Sequence, residues 1–157
     1  MENNKNLVNE QNGKAKENWY LPYMNQKTKG EDVEEKQSPV AIFYCAGASN
    51  VGQATMLSAV KAANEVGYDK AALLCLASIS GELKNVTNAA KESKAVIAVD
   101  GCPMSCAKKT LEMKNISVDK DLILTKDLKI SKNFDLNSSV DLELIKDAVV
   151  SEVNKFY

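Results

Sequence analysis

The sequence predicts an α/β fold, a three-layer α/β/α sandwich on a mainly parallel sheet of about four strands. Two observations carry this expectation. Apolar runs suited to strands buried on both faces alternate with stretches of helical periodicity. Those runs also lack the apolar–polar alternation of a strand wetted on one side. With 157 residues, 45% of them apolar, the chain is long enough for one real core.

The elements follow in order. Residues 1–38 are rich in Asn, Lys, Glu and Gln and read as an N-terminal arm, partly disordered. Within it, Trp19-Tyr20-Leu21-Pro22-Tyr23-Met24 is an aromatic patch expected to dock on the domain or on a neighbouring subunit, which would make a homo-oligomer. The α/β domain is expected over residues 39–157. Val40-Ala41-Ile42-Phe43-Tyr44 is the first strand, and Met56, Ala59, Val60 and Ala63 mark the first helix, which stops near Gly67. Ala71 to Leu76 is a second apolar run, followed by a helix marked by Leu83, Val86, Thr87 and Ala90. Ala95 to Val99 is the third strand, followed by Asp100-Gly101-Cys102-Pro103 and a helix carrying Cys106, Ala107, Thr110 and Leu111. Leu122-Ile123-Leu124 is a short fourth strand, and Leu144, Ile145, Ala148, Val149, Val153 and Phe156 form a last helix. A strand order beginning 2-1-3 is the usual choice for such a pattern.

Composition excludes several function classes. A formal net charge of −1 gives no electrostatic case for nucleic acid or for an anionic membrane. No apolar run approaches the length of a membrane span, and the polar start MENNKNLVNE lacks the apolar region of a signal peptide. The expected location is therefore the cytoplasm. Histidine is absent, which rules out Ser-His-Asp and Cys-His catalysis and any zinc site with imidazole ligands.

That leaves the four cysteines, Cys45, Cys75, Cys102 and Cys106. In a reducing compartment they are metal ligands, redox groups or apolar fillers rather than disulfides. Cys45 follows strand one, Cys75 lies near the end of strand two, and Cys102 follows strand three. The C-termini of parallel strands share one edge, which is where such folds bind ligands, so distant cysteines can converge there. Pro103 suits the first position of a helix, which would make Cys102 its N-cap and set Cys106 one helical turn away. Thiolates are favoured at a helix N-terminus, and Lys108 and Lys109 would add to this if they faced inward. For Cys75, inside Ala-Leu-Leu-Cys-Leu-Ala, a core-filling role is an equal alternative.

The turn from Cys45 through Gly47, Ser49, Asn50 and Gly52 to Gln53 is built of small residues and can line a pocket beside Cys45. No Lys-Ser/Thr pair follows its last glycine, so it is not a phosphate-binding P-loop, and Ser49 or Asn50 serves better as a helix N-cap. Asp100 and Gly101 line the same pocket from the third strand. Asp100 is either a ligand or base there, or a brace for its turn.

Asp100-Gly101-Cys102-Pro103-Met104-Ser105-Cys106-Ala107 resembles the signature of the DGC-domain family, described as zinc-binding for its four cysteines able to chelate. Cys45 to Gln53 and Cys75 to Gly81 resemble the opening and middle segments of the same family. Ser78 and Ser80 stand where smaller residues are expected. The match runs roughly over residues 40 to 155 and includes every cysteine. The resemblance implies a role for Cys75 in the site, with zinc as the metal ion, but it implies no reaction.

Three functional readings compete. The first is a zinc-binding module with a Cys45, Cys75, Cys102, Cys106 ligand set, closed like other four-thiolate sites. The second is a cysteine-based protein or enzyme handling thiols, persulfide, or a thiophilic metal or metalloid. An iron–sulfur protein comes third, because the clustered spacing of ferredoxins is absent. A domain of this size should fold without metal, so a purely structural zinc would be redundant.

Overall fold

The computed structural model describes residues 38–157. The expected arm up to residue 37, with its aromatic patch at 19–24, lies outside the described residues. Their order is β1 (Val40–Tyr44), α1 (Asn50–Val66), β2 (Ala71–Leu73), α2 (Leu76–Ser80), α3 (Lys84–Glu92), β3 (Val96–Asp100), α4 (Cys106–Met113), β4 (Lys120–Ile123), α5 (Leu124–Asp127) and α6 (Leu142–Asn154). The strands pair in the order β2-β1-β3-β4, all parallel. Helices cover both faces. The molecule is the α/β sandwich that the alternating pattern predicts.

Side chains alternate across a strand, so each one supplies both layers. Val40, Ile42, Ile97, Val99 and Leu122 face the layer of α1 and α6, where they meet Val51, Ala54, Ala59, Ile145, Val149 and Val153. The intervening Ala41, Phe43, Val96 and Ala98 are buried on the opposite face, where α4 packs on β3 and α2 packs on α3 and α4. Fully buried side chains on both faces of β1 and β3 explain why those segments read as unbroken apolar runs.

Two elements depart from their sequence patterns. The buried face of α1 is Val51, Ala54, Thr55, Ser58, Ala59, Ala62 and Ala63, so Ala59 and Ala63 face inward as expected. Met56 is only half-buried and Val60 is exposed. Small inward residues bring the α1 backbone close to its neighbours, and the Ser58 hydroxyl donates to the Leu142 carbonyl of α6 at 3.2 Å. The second apolar run also splits. β2 ends at Leu73, the Leu74 N–H donates to Ile42 at 3.1 Å, and the chain then turns into α2. Cys75 is therefore exposed at a strand-to-helix junction, not buried as a core filler.

A candidate thiolate site at the switch point

From β1 the chain crosses to β2 on one side, and from β3 it crosses to β4 on the other. The two connections diverge, leaving a crevice beyond the C-terminal ends of β1 and β3. That switch point is the usual ligand position in an open parallel sheet. Cys45 leaves β1 there, and Asp100, Gly101 and Cys102 leave β3 there.

The two turns interlock through glycine. A Cβ on Gly52 would press into the Gly47 backbone, 2.7 Å from its carbonyl carbon. A Cβ on Gly101 would lie 3.0 Å from both the Gly52 nitrogen and the Val51 carbonyl carbon. Both positions need a bare Cα: Gly52 because its own β1–α1 turn folds back on it, and Gly101 because the β3 turn packs directly on the first turn of α1. Ser49 is the N-cap of that helix, its hydroxyl accepting the Gly52 N–H at 3.2 Å. Gly47 offers its carbonyl to the Gln53 side-chain amide at 2.9 Å.

This packing places the sulfur of Cys45. The Gly101 N–H donates to it at 3.4 Å, and the Thr55 hydroxyl lies 3.7 Å away. Cys45 thus sits against the residue that precedes Cys102, across the gap between two strands. Thr55, from α1, also accepts the Ala46 N–H at 3.3 Å and donates to the Gly52 carbonyl at 2.7 Å. Ala46 itself adopts φ 44°, a left-handed conformation unusual for alanine, which turns the chain sharply after Cys45.

The Cys102–Cys106 segment differs from its expected form. No helix begins at Pro103, and Cys102 is not an N-cap. The Ser105 N–H closes a turn on the Cys102 carbonyl at 3.0 Å, with Pro103 in its second position. Proline presets a φ that suits this place as well as a helix start. Ser105 follows at φ 50°, ψ 52°, and α4 begins only at Cys106. The Ser105 side chain makes no cap bond. Asp100 does that work from β3, accepting the Ala107 N–H at 2.9 Å and the Lys108 N–H at 3.1 Å. Asp100 is a helix cap and brace, 1% exposed. Burial raises its pKa, and the backbone donors only partly offset that.

The thiols differ in environment. Burial first, then the negative charge of Cys45, Asp100 and Cys102, pushes the Cys106 thiol up, with Lys109 opposing. Cys106 therefore lies within electrostatic reach of both Cys45 and Cys102. Cys75 stands apart: the Ser78 hydroxyl, then the N–H groups of Ser78 and Ala77, hold its thiol down. Lys108 does not serve the sulfurs, because its ammonium pairs with Asp121 at 3.6 Å. All four cysteines are free thiols. Among the described residues, no three Cys, Asp or Glu side chains stand ready-gathered around a metal position.

Sequence reasoning missed one group. The Lys132 ammonium lies 3.4 Å from the Cys102 sulfur. Asn50, expected to cap a helix or line the pocket, instead clasps the segment that carries this lysine. Its amide donates to the Ser131 carbonyl at 3.0 Å and accepts the Asn133 N–H at 2.8 Å. No spacing rule links Lys132 to a cysteine thirty residues earlier.

Comparison with known proteins decides the family. The model of the DGC domain matches residues 41–152. The chain belongs to the DGC domain family. The family match spans β1 through most of α6 and includes every cysteine. A curated relative, the anaerobic and virulence modulator AnvM of Pseudomonas aeruginosa, is 30% identical over 73 residues, covering 45% of this chain and 51% of that protein. The aligned stretch thus spans about half the length of that relative. No solved structure matches.

Proposed function

We propose that this DGC domain binds a thiophilic metal ion, zinc first, through thiolates at its switch point. Cys45, Cys102 and Cys106 form the core of the ligand set, and the exposed Cys75 on the same sheet edge is the fourth. The observation that carries this reading is the Gly101 N–H donating to the Cys45 sulfur at 3.4 Å, which sets Cys45 beside the turn that leads through Cys102 to Cys106. The donor set also fits: thiolates without imidazole suit zinc, which takes four sulfurs readily. The sulfurs would close around the ion on binding, so affinity and local ordering are coupled. Zinc would supply charge neutralisation and a fixed geometry, and this chain's own residues would supply the position.

The second reading, thiol or persulfide handling, is favoured by a different observation, the ammonium beside Cys102. Elemental analysis and thiol counting on anaerobically purified protein separate the two. The metal reading predicts a single zinc per chain and protected thiols, with Cys102→Ser and Cys106→Ser each losing the metal. Four freely titrating thiols in protein that takes up no zinc would overturn it. The cytoplasm, where thiols stay reduced, is the location this proposal requires. Among the described residues no helix is long and apolar enough to cross a membrane.

A further inference from the structure

The structure assigns a fifth member to the sulfur site: we propose that Lys132 is the charge-compensating donor to the Cys102 sulfur, and that Asn50 is the positioning residue that holds it there. The inference rests on the thiolate reading of the switch point, whichever ligand those thiolates take.

The argument begins at Asn50. An asparagine on the first turn of a helix usually spends its side chain on local caps. Here Ser49 takes the cap, which releases the Asn50 amide for a distant task. Asn50 is 5% exposed, and both ends of its amide are satisfied by one tripeptide, Ser131 to Asn133. The Asn50 backbone N–H adds a third bond, to the Asn133 carbonyl at 3.2 Å. Three bonds to the residues on either side of Lys132 leave the segment little freedom beside the β1–α1 turn. Lys132 sits at the middle of the clasp, and its ammonium reaches the Cys102 sulfur. The Phe134 ring supports the same ammonium, 5.3 Å from its centroid.

A clasp on the main chain of 131–133 has no evident purpose for the core, because the tripeptide contributes no fully buried side chain. It does fix a cation beside one particular sulfur. A lysine in solution pays side-chain entropy to hold such a contact, and anchoring its backbone lowers that cost. An ammonium donating to a sulfur anion makes a charge-assisted bond. Asn50 thereby ties the turn behind Cys45 to the ammonium at the Cys102 sulfur, through a segment that contains no cysteine.

The test uses the full chain, reduced and stripped of metal with chelator, and reads iodoacetamide alkylation of each cysteine peptide by mass spectrometry. Iodoacetamide is neutral, so the lysine does not steer the reagent itself. Lys132→Gln is expected to slow Cys102 by about tenfold while Cys75 keeps its rate. Lys132→Arg keeps the charge and should restore most of the loss. Asn50→Ala should slow Cys102 selectively in the same way, with Lys132 intact. An unchanged Cys102 rate in Lys132→Gln, or an equal slowing of Cys75, overturns the role of Lys132. An unchanged Cys102 rate in Asn50→Ala overturns the role of the clasp. Zinc content of the wild-type chain is measured separately. A zinc-free protein with a Lys132-dependent Cys102 removes the metal reading and leaves this inference standing, whereas zinc binding with a Lys132-independent Cys102 does the reverse.

Discussion

Asp100 and the thiols of Cys75 and Cys106 show how differently groups near one sheet edge behave. The Asp100 carboxyl caps α4 yet is nearly sealed from water, and burial raises its pKa despite two backbone donors. Its folded-state pKa above the unfolded value means that ionisation costs stability as pH rises through the carboxylate range. Asn at this position does not ionise. Urea titrations at stepped pH should therefore show wild type losing stability relative to Asp100→Asn as pH rises, and a constant difference would contradict this. Cys75 and Cys106 make the second residue-level case. Cys75 is held below, and Cys106 above, the ordinary thiol value, and only the thiolate reacts. In metal-free protein at neutral pH, iodoacetamide should label Cys75 faster than Cys106, and Ser78→Ala should slow Cys75. A faster Cys106 would refute the electrostatic picture of the site. The apolar neighbours of Cys75 left it evenly split between core filler and site residue, because they say nothing about a chain that leaves its strand two residues early.

At the scale of elements, the site depends on close approach between two turns. Gly52 and Gly101 sit where a Cβ would strike backbone, and backbone cannot swing aside as a side-chain tip can. Gly52→Ala should cost about 2 kcal/mol or more in urea unfolding, by the logic of overpacking, and should disturb the Cys45 environment with it. A loss of only a few tenths would mean that the turns are looser than drawn. Much at this scale was legible. The strands β1 and β3 stand out as unbroken apolar runs, and Ser49 and Asn50 mark the start of α1. The misreadings have physical causes. Proline at 103 fits a turn and a helix start equally, and only the left-handed Ser105 decides between them. Beyond Asn50 and Val51 the buried face of α1 is built of Gly, Ala, Thr and Ser, so a search for large apolar residues put its stripe partly on the outer side. Lys132 was invisible because its link to Cys102 runs through hydrogen bonds from Asn50 to main-chain atoms, which leave no trace in residue spacing.

At the scale of the molecule, topology does most of the assembly. The parallel order β2-β1-β3-β4 brings the ends of β1 and β3 side by side, although more than fifty residues separate Cys45 from Cys102. The order beginning 2-1-3 was only the usual choice for such a chain, because the alternation of strands and helices fixes the parallel sheet and not the sequence of its strands. How near the sulfurs come was not, because that depends on the interlocked glycines and the turn at 102–105. The core is closed on both faces by α1 and α6 and by α2 to α4, so under the proposed metal reading the ion would serve a function other than holding the core together. Zinc-edge X-ray absorption of the reduced, zinc-loaded chain tests the central claim directly. Three or four sulfur neighbours at about 2.3 Å are expected. A shell of oxygen or nitrogen alone, or no retained zinc, would contradict it.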